Sequence, residues 1–254
     1  MSEDSVLYVQ HDGVVEMTIN RPEARNALNQ AVRDGLFAGF REFIIDDSAQ
    51  VLILTGAGEA FCAGADLKEM ADTAMALPPQ DWLPHLGRNL HTDKPIIAAV
   101  NGVAYAGGFF LAQQCDLVVA AETAKFAITE ARWSRGAPWA APLPWIIPPR
   151  MAMEMLLTAE PITAERAHQV GFVNRVVAPS EVMNEARTIA VQIAANAPMS
   201  VRAAKAMVYA AAERGWSDAL DEGYRIYEPV YLSEDAQEGP RAFKEKRPPE
   251  WKGR

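Results

Sequence analysis

The first twenty residues alternate between apolar and polar side chains. Leu7, Tyr8 and Val9 on one side, and Val15, Met17 and Ile19 on the other, flank Asp12-Gly13, the turn dipeptide of a β-hairpin. Pro22 cannot continue a ladder and ends the second strand. From Leu28 the apolar spacing changes to the helical one, through Val32, Leu36, Phe40 and Phe43. Val51 to Leu54, Ile96 to Val100 and Leu117 to Ala120 are short unbroken apolar runs, as expected of strands buried on both faces. Strand and helix patterns in alternation predict an α/β fold with mostly parallel strands and right-handed crossovers. Pro78, Pro79 and Pro84 break the pattern between Met70 and Leu90 and predict a mobile loop. Five prolines from Pro138 to Pro149, interleaved with Trp133, Trp139 and Trp145, break it again. Beyond about residue 180 only helical patterns follow, over 182–196, 200–212 with Ser200 as N-cap, and 219–231.

Composition narrows the function classes. At 254 residues, 50% hydrophobic and 22% charged, the chain has material for a large core and is ordinary for a globular protein. The net charge of −9 argues against general nucleic-acid binding. No apolar run approaches the roughly 20 residues of a membrane span, and the polar start is unlike a secretory or transit signal. Two cysteines, Cys62 and Cys115, fit a reducing, cytoplasmic setting. The four histidines are scattered, so no metal-ligand cluster is legible. The last fourteen residues hold six cations against Glu245 and Glu250, a local +4, while the rest carries −13. That tail is either a solvated terminus or a site for phosphate groups.

Two segments share one design. The run Val51 to Thr55 leads into Gly56 to Asp66 and then the helical start at Leu67. The run Ile96 to Val100 leads into Asn101 to Gly108 and then Phe109 to Ala112. Small residues let a ligand approach the backbone, and helix starts present free N–H groups. Two such turns on neighbouring strands can aim one N–H each at a single oxygen, as an enolate or tetrahedral oxyanion requires. Neither turn fits a dinucleotide or P-loop fingerprint.

Seven segments in order resemble the crotonase (enoyl-CoA hydratase/isomerase) superfamily, and its carnitinyl-CoA dehydratase branch in particular. They are Arg21 to Leu28, Ala60 to Asp66, Val100 to Gly108, Cys115-Asp116, Phe126 to Glu130, Gly171 to Asn174 and Ser233 to Arg247. The resemblance implies a spiral of ββα turns over 1–195 and a C-terminal helical trimerisation region with the basic tail over 196–254, assembled as trimers or pairs of trimers. It implies an acyl-CoA substrate, with no cofactor besides the coenzyme A that the substrate carries. The amides of Ala65 and Gly107 would form the oxyanion hole. The backbone around Ala24, Arg25, Ala63 and Asp66 would hold CoA, while Phe243 and Lys246 match tail positions that reach it, often from a neighbouring subunit; this favours the phosphate reading of the tail. Hydratases of this family use two glutamates. Glu130 matches one, and its alternative is an ion pair with Lys125 or Arg132. The other falls at Phe110, which carries no proton and would line the acyl pocket. The expected chemistry is hydration or dehydration of an enoyl thioester with Glu130 as acid–base. A Δ3,Δ2-enoyl-CoA isomerase needing one base, and a non-catalytic acyl-CoA binder, are the alternatives.

Overall fold

The computed structural model describes residues 4–73 and 77–254. The hairpin forms as the alternation predicts: β1 (Val6–His11) pairs antiparallel with β2 (Val14–Ile19) around Asp12-Gly13. The helix α1 (Gln30–Ile45) buries Val32, Leu36, Phe40 and Phe43, and Asn29 caps it by accepting from the Val32 N–H. Leu28, read from the sequence as the first helical position, instead stays extended and pairs with Ala65. The three apolar runs become β3 (Val51–Gly56), β5 (Ile96–Val100) and β7 (Leu117–Ala121), nearly all of whose residues are buried.

Each of these long strands is followed by a three-residue strand: β4 (Ala60–Cys62), β6 (Val103–Tyr105) and β8 (Lys125–Ala127). The helix α2 (Leu67–Thr73) follows β4, and α3 (Gly107–Gln113) follows β6. With β9 (Ile162–Thr163) and β10 (Arg175–Val177), the strands form two sheets. The first has order β1-β2-β3-β5-β7-β10, parallel from β2 onward; the second has order β4-β6-β8-β9, parallel through β8. Each turn of chain thus lays one strand in each sheet, the ββα spiral expected. The functional turns therefore leave the second sheet and not, as the apolar runs alone suggested, the long strands directly.

The proline- and tryptophan-rich stretch forms short helical turns and α4 (Leu143–Ile146), then α5 (Pro149–Thr158) and α6 (Ala164–Gln169). The helix α7 (Val182–Ala194) covers the first sheet and is tied to β2 by Arg187, which donates to both carboxylate oxygens of Glu16 at 2.6 and 2.8 Å. The helix α8 (Pro198–Ala212) starts two residues before Ser200. Pro198 takes the first position, where a missing N–H costs nothing, so Ser200 is not the cap. The helices α9 (Trp216–Tyr231) and α10 (Asp235–Glu245) complete the chain. No helix among the described residues is long and apolar enough to cross a membrane.

The tail corrects the charge reading. Arg241 and Arg247 both pair with Glu238, a buried carboxylate, Arg247 also with Glu245, and Lys252 and Arg254 with Glu234. Glu234 and Glu238 lie just upstream of the basic run, so most of the +4 is balanced on folding. Lys244 and Lys246 have no ion pair among the described residues. The proline-bearing loop 77–92 is bound to the core through Arg33 and Gln114, while residues 74–76 of that stretch lie outside the described residues.

Candidate active site

The strands β4, β6 and β8 are parallel neighbours, so their C-terminal ends open on one side. Ala65 follows β4 by three residues, Gly107 follows β6 by two, and Glu130 follows β8 by three. The topology gathers these three predicted residues at the carboxyl ends of strands, where open α/β sheets bind ligands.

The turns after β4 and β6 touch. A Cβ placed on Gly64, which has φ +97°, would lie 2.8 Å from the Ala106 Cβ and 3.4 Å from the Gly107 nitrogen. Leu28 donates its N–H to the Gly64 carbonyl at 2.8 Å and accepts from the Asp66 N–H at 3.4 Å. In a parallel bridge of this kind the Ala65 N–H points away from Leu28. It has no acceptor among the described residues, and neither does the Gly107 N–H at the first position of α3. Ala106 holds φ +50° and ψ −116°, a conformation costing a non-glycine residue about 1–3 kcal/mol. Its N–H is anchored to the Ala127 carbonyl at 2.9 Å. The strain sits at the residue that turns the Gly107 amide out of the strand.

Glu130 has no ion pair among the described residues. Arg132 pairs with Glu160 at 2.6 Å, and Lys125 has no ion pair among the described residues, which removes the salt-bridge alternative. The Oε2 atom of Glu130 is buried without a hydrogen-bond partner among the described residues. Burial pushes its carboxyl up to about 7, against the opposing pull of Trp139 and of the backbone at Thr129 and Glu130. A carboxyl poised there exchanges protons readily in both directions near neutrality.

Phe110 is 3% exposed. Its ring meets His85 edge-on at 4.9 Å and Trp139 at 5.5 Å. Trp139 also stacks obliquely on Phe109, and its carbonyl accepts from the Gln113 side chain at 2.9 Å. The wall around Phe110 is thus aromatic. Burial and the nearby Arg88 lower the proton affinity of His85 from its ordinary value. The sequence reading missed His85 and Arg33, because no local motif marks them.

The remaining predicted residues divide. Ala24, Arg25, Ala63 and Asp66 do come together: Ala63 donates to the Arg25 carbonyl at 3.0 Å, and Asp66 pairs with Arg21 at 2.5 Å, which holds its carboxyl below the usual range. Asp66 also accepts from the N–H groups of Lys68 and Glu69 and so caps α2. Phe243, 86% exposed, and Lys246 project from α10. Among the described residues no hydrogen bond, ion pair or ring contact joins either to these turns.

Asn26 holds the loop and the β3–β4 connection in place. Fully buried at φ +58°, it accepts from the Arg21 N–H at 2.9 Å and donates to the Ala57 and Ala60 carbonyls at 2.9 and 2.7 Å. Asn26→Ala removes three bonds and strands two carbonyls, an expected loss of about 2–4 kcal/mol read by denaturant unfolding. A loss below about 0.5 kcal/mol, the usual scale of a surface change, would show the bonds to be dispensable.

A two-sheet ββα spiral of this order is the crotonase type of fold. A family model described as enoyl-CoA hydratase/isomerase matches residues 10–254, and the chain belongs to that family of enzymes. It is 40% identical over 270 aligned positions to the carnitinyl-CoA dehydratase of Salmonella typhi, covering all of both chains. A probable enoyl-CoA hydratase/isomerase from Mycobacterium abscessus superposes with a TM-score of 0.89 at 42% identity, over 99% of this chain and 100% of that one. The enoyl-CoA hydratase of Mycobacterium tuberculosis H37Rv superposes at 0.88 with 38% identity, over the same shares.

Proposed function

We propose that this enzyme adds water to, or removes it from, an enoyl or 3-hydroxyacyl CoA thioester through an enolate held by the Ala65 and Gly107 amides, with Glu130 as acid–base. The observation that carries the reading is the buried Glu130 carboxyl, its Oε2 without a hydrogen-bond partner among the described residues, past the end of a strand in the same parallel row as the two amides without acceptors. As charge develops on the thioester oxygen, two fixed N–H donors stabilise it without reorganising. In hydration Glu130 gives its proton to the α-carbon and, left ionised, takes the proton shed by the water that attacks the β-carbon; dehydration runs both transfers in reverse. These steps move only protons and water, so coenzyme A enters as part of the substrate and no further cofactor is required. Ala24, Arg25, Ala63 and Asp66 line its approach. Phe243 and Lys246 would reach the CoA of a neighbouring copy, in a homotrimer or pair of trimers. The large exposed side chains Trp216, Tyr224, Tyr231, Leu232 and Phe243 support such self-association.

Phe110 favours a second reading. Water attack at the β-carbon needs a group that orients the water and accepts its proton, and a phenyl ring does neither. A Δ3,Δ2-isomerase moves one proton along a dienolate and manages with Glu130 alone, while the aromatic wall excludes water. Incubation with crotonyl-CoA and, separately, with a 3-enoyl-CoA, following loss or gain of the conjugated thioester absorbance, decides between them. An acyl-CoA binder without catalysis would change neither. Phe110→Glu restores a second carboxylate and is expected to raise crotonyl-CoA hydration about 10-fold or more. A parent that already hydrates as fast as the variant would show that another group holds the water.

A further inference from the structure

Arg33 is a charged residue on α1 that is only 6% exposed. One Nη1 donates to the Leu28 carbonyl at 3.0 Å and to Glu69 Oε2 at 2.5 Å, and Nη2 donates to the Gln30 side chain at 2.7 Å. The other oxygen of Glu69 accepts from the Gln30 N–H at 2.8 Å. The Trp82 ring lies over the guanidinium, 4.8 Å from the Arg33 Cζ to the ring centroid. Burying an ion pair is weak as a stability device, since apolar residues of equal volume often do as well. What this cluster touches gives it another role.

Leu28 contacts both amide turns. Its backbone grips Gly64 and Asp66 on either side of Ala65, and its Cδ1 would lie 2.7 Å from a Cβ on Gly107. The Leu28 carbonyl has only a long 3.4 Å bond from Asp66 besides the one from Arg33. A second route runs through the loop. Leu83, next in sequence to the Trp82 stacked on Arg33, places its Cδ1 3.6 Å from the same point on Gly107.

We propose that Arg33 is a positioning residue for the thioester site, fixing the relative placement of the Ala65 and Gly107 amides through Leu28 and through Trp82–Leu83. The inference rests on the reading of those amides as the oxyanion donors. Arg33 touches no reacting atom. Its effect falls on the developing negative charge and not on CoA affinity. A donor displaced by about 1 Å costs on the order of 100-fold in rate.

The test uses acetoacetyl-CoA, whose enolate has a near-ultraviolet absorbance that reports oxyanion stabilisation in the bound state. Arg33→Met with Glu69→Gln removes the charge pair without leaving a lone buried acid. Arg33→Lys keeps the charge but cannot serve three acceptors from one planar fork. In the double variant the enolate fraction of bound acetoacetyl-CoA and kcat are expected to fall about 10-fold or more, with CoA-thioester affinity and KM within about 3-fold of the parent. Arg33→Lys is expected to fall between the two, and it carries the test if the double variant does not fold. If both quantities are unchanged in folded variants, Arg33 is only structural and the inference fails, while the oxyanion reading stands. If the parent itself binds acetoacetyl-CoA and forms no enolate, the oxyanion reading fails and takes this inference with it.

Discussion

Exchanging Glu130 for Gln is expected to lower turnover by at least about 100-fold while CoA-thioester affinity stays close to that of the parent. The amide keeps the shape of the carboxyl but can neither take nor give the proton at the α-carbon, and the structure offers no second carboxylate at Phe110. The parent's pH profile should carry the same signature. With the carboxyl pushed up to about 7, its acid form dominates below that pH and its base form above. Hydration, which begins with Glu130 protonated, should therefore slow as pH rises through 7. Isomerisation and dehydration, which begin with Glu130 ionised, should accelerate. The stability sign runs alongside. A carboxyl raised above its unfolded value of 4.5 contributes stability at low pH and loses it as pH climbs toward 7. The Gln variant should thus melt no lower than the parent at pH 8, which separates lost chemistry from lost folding. A Gln variant retaining parental turnover on its substrate would remove Glu130 from the mechanism.

Gly107→Pro is expected to bring activity down at least about 1000-fold. Proline removes one of the two N–H donors outright. It also restricts the residue before it to extended backbone, and Ala106 sits at φ +50° and ψ −116°, so the turn must rearrange as well. Gly107→Ala is the informative companion, because it keeps the N–H. Its Cβ would meet Leu28 Cδ1 at 2.7 Å, the end of a flexible side chain that can yield, so a smaller loss is expected. Single-turnover kinetics with CoA binding measured separately resolves the two. A proline variant that stays folded and keeps a tenth of parental turnover would exclude the Gly107 amide as a donor.

The aromatic setting of Phe110 shows where a linear pattern stops informing. The family resemblance marks the missing carboxylate at Phe110. It does not mark that His85 and Trp139, each more than twenty residues away, flank the ring. Glu130 is legible through the family resemblance of Phe126 to Glu130. Its elevated proton affinity is not, because that arises from burial. Arg33 lies within the helical run of α1, where a charge pattern reads as solvent-facing. Only the packing of α2 and Trp82 against it makes it a buried residue.

By itself the sequence determined the hairpin, the long buried strands, α1, the glycine-led turns and the family, because each is written in a period or motif spanning a few neighbouring residues. Tertiary structure alone decided the second sheet, whose strands of two or three residues are too short to show any period and exist only by pairing with one another. It decided that the basic tail is spent on Glu234 and Glu238, since ion pairing depends on how α10 and the chain end fold together. It also decided the strand register that sets Ala65, Gly107 and Glu130 past the ends of neighbouring parallel strands, because register is a property of contacts between distant segments, which no local window of sequence contains.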